Sequence, residues 1–228
     1  MSRIVDLSQE IFQGMGVYPG HLKTVTWEHV SHAETQSRFE GGFSFQSWGI
    51  MLCDHGPTHV DALSHLDPRP EAPSIEQMPL DTFYGSGTCI DLSHFGPHAY
   101  ISADDLAAAA RDVDLRRGDM LLLYTATYDR YYGTAEYTSQ YPGLDASGST
   151  WLYEQGVKAF GVDSPSPDNP ISKTYPCHMM CRERGITHYE NLCNLDQLVG
   201  KRFTFFGLPL RIRGGTGSPV RAVAILEA

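Results

Sequence analysis

The densest chemistry in this chain lies between Cys53 and His65, which reads Cys-Asp-His-Gly-Pro-Thr-His-Val-Asp-Ala-Leu-Ser-His. Three histidines (His55, His59, His65) and two aspartates (Asp54, Asp61) fall in that one segment. Imidazole and carboxylate together suit zinc, manganese or iron, holding a divalent cation while leaving positions open for water. Gly56-Pro57 disfavours a continuous helix, so these groups are expected to converge through a turn leading into a strand or short helix. Taken alone, a His-x3-His-x-Asp pattern also fits satisfied core histidines and a surface acid.

A second cluster strengthens the metal reading. The run Gly161-Val162-Asp163-Ser164-Pro165-Ser166-Pro167-Asp168 looks like a strand end opening into a polar turn. His178 and Glu190 follow it, the latter within Thr187-His188-Tyr189-Glu190-Asn191-Leu192. Polar groups at strand ends are common active-site material, while turn capping explains Asp163 and Asp168 equally well. For His188 a surface neighbour is one available reading, and it is not assigned to the site. Cys177, His178 and Cys181 lack the second cysteine pair of a structural zinc site. The five cysteines are better read as buried free thiols than as a disulfide framework.

The elements that must position these groups are mostly short strands. Thr24 to Trp27, Ser44 to Ile50, Gly87 to Leu92, Met120 to Thr125, Ala159 to Val162, Arg202 to Phe206 and Val220 to Leu226 read as β. Ser102 with Asp105 forms a capping box ahead of Leu106 to Ala110. Ser149 is expected to cap a helix through Trp151 and Val157, with Gly156 as a weak point, and a short helix runs from His178 to Arg184 before Gly185. The tyrosine-rich stretch Asp129 to Gly148 reads as a long loop, either a lid or partner contact or a surface loop packed on itself. The expected architecture is α/β, a mixed β-sheet core with flanking helices, in one domain over residues 1–228.

Composition narrows the function. The chain has 228 residues, 41% of them hydrophobic, and a formal net charge of -10 from 17 basic and 27 acidic residues. With no basic stripe, nucleic acid is not an expected partner. No stretch reaches the roughly 18 apolar residues of a membrane helix, and the start of the chain lacks signal-peptide character. A cytoplasmic protein is therefore expected. Gly214 to Gly217 lacks dinucleotide-binding spacing, and no Gly-x-Ser-x-Gly elbow supports a serine hydrolase.

Taken together, these motifs resemble the cyclase family of metal-dependent hydrolases, which includes formamidases and cyclic-amide (lactam) hydrolases. The resemblance runs through Val17-Tyr18-Pro19-Gly20, the histidine cluster, Pro79 to Gly85, Tyr141-Pro142-Gly143-Leu144 and Gly161 to Ser166. It continues through His178 and Glu190-Asn191-Leu192 to Gly214 through Arg221. Two positions depart from the family's usual cluster, Pro57 after Gly56 and Leu63 in place of a proline, and neither changes the ligand spacing.

The resemblance implies a swivelling β/β/α fold. It implies His55, His59 and Asp61 as metal ligands, with Asp61 bridging where two ions bind. His178 and Glu190 would line the same site, Glu190 as a ligand in two-metal members. His65 would be a second-site ligand or the proton-handling histidine. Tyr18, Phe45 and Trp48 are the candidates for substrate binding. Zn2+ or Mn2+, one or two per chain, is the implied cofactor, and a homodimer or homotetramer the implied assembly. The expected reaction is hydrolysis of a C–N bond in a small amide, formamide or lactam. A divalent ion lowers the pKa of bound water from 15.7 towards about 7. His65, with an ordinary imidazole pKa of about 6.5, would move the proton to the leaving nitrogen, and Glu190 would share that work if free of metal. An ester or lactone hydrolase is the nearest alternative, a dehydratase or isomerase a more distant one, and a non-catalytic binding protein would need only the pocket.

Overall fold

A computed structural model describes residues 2–226 of the chain. Among these, nine strands form one sheet in the order Arg3–Asp6, Val223–Leu226, Arg202–Phe206, Tyr84–Asp91, Met120–Tyr124, Ala159–Val162, Thr187–Glu190, His59–Asp61, Gly217–Pro219. The strands from Tyr84–Asp91 to Thr187–Glu190 run parallel, and antiparallel strands flank them on both sides. The sheet curls, because only three residues separate Gly217–Pro219 at one edge from Val223–Leu226 near the other. The Leu7 amide donates to the Ala222 carbonyl and the Val220 amide to the Thr58 carbonyl, holding the two edges close.

A period of two sorts each strand between two cores. In Met120–Tyr124, Met120 and Leu122 point inside the curl beside Phe83, Tyr189 and Phe205. Leu121 and Leu123 face outward, where Leu106, Leu152, Cys177 and Cys181 from the helices cover them. This explains why Met-Leu-Leu-Leu is apolar throughout. All five cysteines are free, and Cys177 and Cys181 are buried thiols of the outer core.

Several expected elements have different bounds. Residues 24–27 and 44–50 become Val25–Val30 and Ser47–Met51, which pair with each other as a ribbon apart from the main sheet. The last strand begins at Val223, because residues 220–222 turn the corner that brings the sheet edges together. The helix attributed to a Ser149 cap is Ala146–Gln155, and its cap is Asp145, whose carboxylate accepts from the Gly148 amide. Gly156 ends that helix in a left-handed conformation (φ 69°) and does not interrupt it.

Asp129 to Gly148 is not one long loop. It holds the end of the helix Thr127–Tyr131, the 3-10 turn Ala135–Thr138, and the strand Gly143–Leu144. Tyr137 and Tyr141 are 5% and 1% exposed, so these rings fill the interior and do not form a surface lid. The helix expected at His178 to Arg184 begins at Pro176, whose missing N–H costs nothing in a first turn.

Gly143 shows how tightly this region is closed. A Cβ there would meet the Asn169 backbone nitrogen at 2.0 Å, and Asp168 lies beside it. Gly143→Ala is expected to destabilise the protein by about 3 kcal/mol, since backbone must move to admit the methyl group. Urea unfolding would measure this, and a loss below about 0.5 kcal/mol would show that the Asp168–Asn169 segment yields freely.

Asp163, at the end of Ala159–Val162, makes stability depend on pH. One oxygen accepts from the Thr125 amide at 2.9 Å and hydroxyl at 2.5 Å, while the other has no partner among the described residues. Burial raises the carboxyl from 3.8 to about 6, outweighing the Thr125 bonds. The native state therefore keeps a proton that the unfolded chain has lost between those values. The associated stability, on the order of 3 kcal/mol, is present below 3.8 and disappears as pH rises through about 6. Asp163→Asn should flatten the pH dependence of urea unfolding across that window. If the slope persists in the variant, another group is responsible.

Candidate metal centre

The site lies where the parallel strands end and the sheet turns antiparallel. His59 and Asp61 alternate with Val60, which points into the inner core. On the neighbouring strand, His188 and Glu190 alternate with Tyr189, which points the same way as Val60. The antiparallel register sets Glu190 opposite His59 and Tyr189 opposite Val60. The outward face thus presents two imidazoles and two carboxylates, with each imidazole paired to a carboxylate across the strands. His59 Nε2 is 3.4 Å from Glu190 Oε2, and His188 Nε2 is 3.5 Å from Asp61 Oδ2.

Three further histidines close on this array. His55 precedes the strand, on a turn that contains a cis Gly56–Pro57 peptide, and its Nδ1 donates to Asp61 Oδ1 at 2.8 Å. Its Nε2 lies 2.9 Å from the Thr216 hydroxyl. Gly217 must lack a side chain here, because a Cβ would stand 2.8 Å from the His55 ring. His65 projects from the short helix Leu63–Leu66, its ring centroid 4.0 Å from that of His55 and its Nε2 3.9 Å from Asp61 Oδ2. His178, in the helix Pro176–Arg184, places Nε2 3.9 Å from Asp61 Oδ2 and 3.8 Å from Glu190 Oε1.

Two ligand pockets result, sharing one carboxylate. His55, His59 and Asp61 form one group; Asp61, His178, His188 and Glu190 form the other. Asp61 Oδ1 faces the first pocket and Oδ2 the second. Neither group contains a cysteine.

Surrounding residues fix which atoms face inward. His59 Nδ1 donates to the Pro57 carbonyl at 2.9 Å, which leaves Nε2 aimed at the centre, buried and without a partner. His178 Nδ1 donates to Asp168 Oδ2 at 2.5 Å. Asp168 also accepts from the Cys177 and His178 amides, so one carboxylate caps the helix and orients the imidazole. Both explanations offered for Asp168 therefore apply. An orphaned imidazole nitrogen among fixed carboxylates is the donor set a divalent cation requires, and these residues fit one.

The electrostatics agree. Burial would lower the His59 imidazole, but the carboxylates of Asp61 and Glu190, each 3.4 Å from Nε2, raise it to about 10. Burial would raise the Glu190 carboxyl, but the hydrogen bond from His188 and the nearby His59 imidazole hold it at about 2. A carboxylate held ionised in this way suits cation binding. His65 departs from an ordinary imidazole. Burial lowers it, Asp61 opposes, and His55 and His178 lower it further, to about 4. It is neutral at pH 7 and takes up a proton before it can donate one.

A cavity of about 270 Å³ opens above the array, bordered by His65, Tyr18, His21, Tyr175, Leu66 and Pro165 among others. Burial and the adjacent Tyr175 push the Tyr18 hydroxyl up to about 12, so it remains a hydrogen-bond donor. Phe45 and Trp48 do not border this cavity; they are 41% and 58% exposed, near or on the separate ribbon. His188 is the residue that sequence reasoning left out of the site. It is not a surface neighbour but has 0% exposure at the heart of the array. Its two-residue offset from Glu190 on one strand was the available signal.

A family model described as putative cyclase matches residues 5–169. The kynurenine formamidase of Geobacillus thermodenitrificans is 28% identical over 222 residues, 97% of each chain. That of Salinibacter ruber is 29% identical over 226 residues, 96% of each chain. Isatin hydrolase A from Labrenzia aggregata, bound to benzyl benzoate, superposes with a TM-score of 0.86 at 23% identity, over 100% of this chain and 94% of that one. Isatin hydrolase A from Ralstonia solanacearum does so with a TM-score of 0.84 at 24% identity, over 99% and 92%. At such identities the superpositions establish a common fold.

Proposed function

The chain belongs to the cyclase family, and from that premise we propose that it is a metal-dependent hydrolase of a C–N bond in a small amide, formamide or lactam. The observation that carries this reading is the pair of His/carboxylate pockets sharing Asp61 beneath a cavity of about 270 Å³. Zn2+ or Mn2+ is the cofactor of this reading, held by His55, His59 and Asp61 and, where two ions bind, also by His178 and Glu190. When bound, such an ion supplies Lewis acidity and lowers the pKa of its water towards about 7.

The chain's own residues do the rest. His65, neutral and beside Asp61, receives the proton from the attacking water at an imidazole nitrogen and passes it to the departing nitrogen. The Tyr18 hydroxyl donates to a polar atom of the substrate, while Leu66 and Pro165 supply an apolar wall that limits water. The products are a carboxylic acid and an amine, joined in one molecule when the substrate is cyclic.

The name kynurenine formamidase and the name isatin hydrolase support N-formyl aromatic amines and isatin-like cyclic amides as the first substrates to try. Zinc- and manganese-loaded protein should hydrolyse at least one of them, and chelator treatment should stop it. Hydrolysis of lactones or esters without any amide would move the reading to that bond. No turnover of either class by metal-loaded protein would remove it.

Assembly into a homodimer or homotetramer belongs to the same proposal. The ribbon region exposes Trp27, Phe39, Phe43, Phe45, Trp48 and Ile50, apolar side chains that a neighbouring copy would cover. In this reading Phe45 and Trp48 meet a neighbouring copy. Light scattering should give twice or four times the chain mass of 25.3 kDa, and a monomer at micromolar concentration would rule this out. Among the described residues, no helix is long and apolar enough to cross a membrane.

A further inference from the structure

We propose that His188, oriented by Cys181, is a ligand of a second cation in the pocket formed with Asp61, His178 and Glu190. This rests on the metal-dependent reading above. A buried imidazole between two carboxylates has two possible uses. As an imidazolium it neutralises them itself; as a neutral ring it offers a nitrogen lone pair to a cation.

Without a cation the ring's Nε2–H bonds Glu190 Oε1, the first use; once a cation takes that proton's place, the contacts around the ring suit the second. His188 Nδ1 faces the Cys181 sulfur at 3.7 Å, and that sulfur can accept the Nδ1–H and so leave Nε2 bare. Phe160 stacks on the ring with centroids 5.3 Å apart and planes 15° from parallel, which fixes its plane. His188 Nε2 then points between Glu190 Oε1 at 3.2 Å and Asp61 Oδ2 at 3.5 Å. The same two oxygens lie 3.8 and 3.9 Å from His178 Nε2. Donors about 2.1 Å from one tetrahedral ion stand about 3.4 Å from one another. The four imidazole–carboxylate distances, 3.2 to 3.9 Å, lie near that spacing, and all four donor atoms are within 4.8 Å of one another.

The other pocket uses Asp61 Oδ1, so the two can fill separately. Two imidazoles with two carboxylates select a borderline cation such as zinc over magnesium or calcium, which take oxygen-only shells. Cys181 is a positioning residue: it does not reach the cation but sets which nitrogen of His188 does.

The test is a zinc titration of chelator-stripped full-length protein against a chromophoric chelator, with zinc per chain counted after gel filtration. Wild type should take two ions. His188→Gln should keep one and bind the second at least tenfold more weakly. Cys181→Ala should weaken the second ion about ten- to a hundredfold, and Cys181→Ser, which keeps an acceptor, should recover part of that loss. The serine rescue is an effect that simple loss of packing would not produce, and the Cys181 pair carries the test if His188→Gln fails to fold. Unchanged second-ion affinity in these variants overturns the proposal. So does a wild type holding one ion that His188→Gln leaves in place. An extra ion in His188→Gln also overturns it, since the protonated ring would then have been filling the pocket. A wild type that takes up no zinc overturns the metal-dependent reading itself, which is a separate result.

Discussion

Asp61→Ala is expected to lose bound metal and turnover together. Both oxygens of this one carboxylate are committed, Oδ1 towards His55 and His59, and Oδ2 towards His65, His178 and His188. Burial would raise its carboxyl, but the charge of His188 and hydrogen bonds from His55 and His59 hold it well below the usual range. The variant removes the ligand common to both pockets and leaves His59, His178 and His188 with Glu190 as the carboxylate they share. Loss of a group that merely orients a ligand costs about 10–100-fold in metal affinity. Loss of the shared ligand should exceed that, leaving metal content near zero after dialysis and activity at background. Asp61→Asn separates shape from charge and should behave almost as badly. Metal content and rate both at wild-type levels in Asp61→Ala would sink the site assignment.

His65→Ala should give the opposite combination, normal metal content with a rate about 10²–10⁴-fold lower. The residue is on the rim of the cavity, its side chain 35% exposed, so removing it leaves no large void in the core. Its imidazole is neutral at pH 7 and within reach of the reacting centre, whereas Glu190 is held as a carboxylate and Asp61 is committed on both sides. His65 is therefore the group best suited to carry the proton. Single-turnover kinetics beside elemental analysis would decide the point. A full rate with full metal removes His65 from the mechanism, and joint loss of metal and rate would make it a ligand. Correct melting behaviour of the apo variant would separate either outcome from misfolding.

Much of this centre was legible in the linear chain. His55, His59, Asp61 and His65 sit on one turn–strand–helix segment, so their convergence is a local matter set by Gly56-Pro57 and the short strand that follows. The strands Ala159–Val162 and Arg202–Phe206 were legible residue for residue, because β-rich runs bounded by turn signals seldom form anything else. The Ser102 capping box was equally plain, since its hydrogen bonds span three residues.

What the linear chain could not show depends on partners far away in it. His188 looks like any histidine in a short polar-apolar run. Only pairing of its strand with His59–Asp61, more than a hundred residues earlier, sets it against Asp61. The burial of Tyr137 is likewise decided by remote groups, Gln9 and Asn191, whose polar atoms lie within hydrogen-bond reach of its hydroxyl. The low pKa of His65 comes from burial first and then from the His55 and His178 rings, the second of which lies more than a hundred residues further along the chain. Composition and local spacing determine which ligands exist and which short elements carry them, because propensity and turn chemistry act over a few residues. Burial, charge environment and the second half of the centre were decided by the curl of the sheet, because these depend on which distant strand lies alongside.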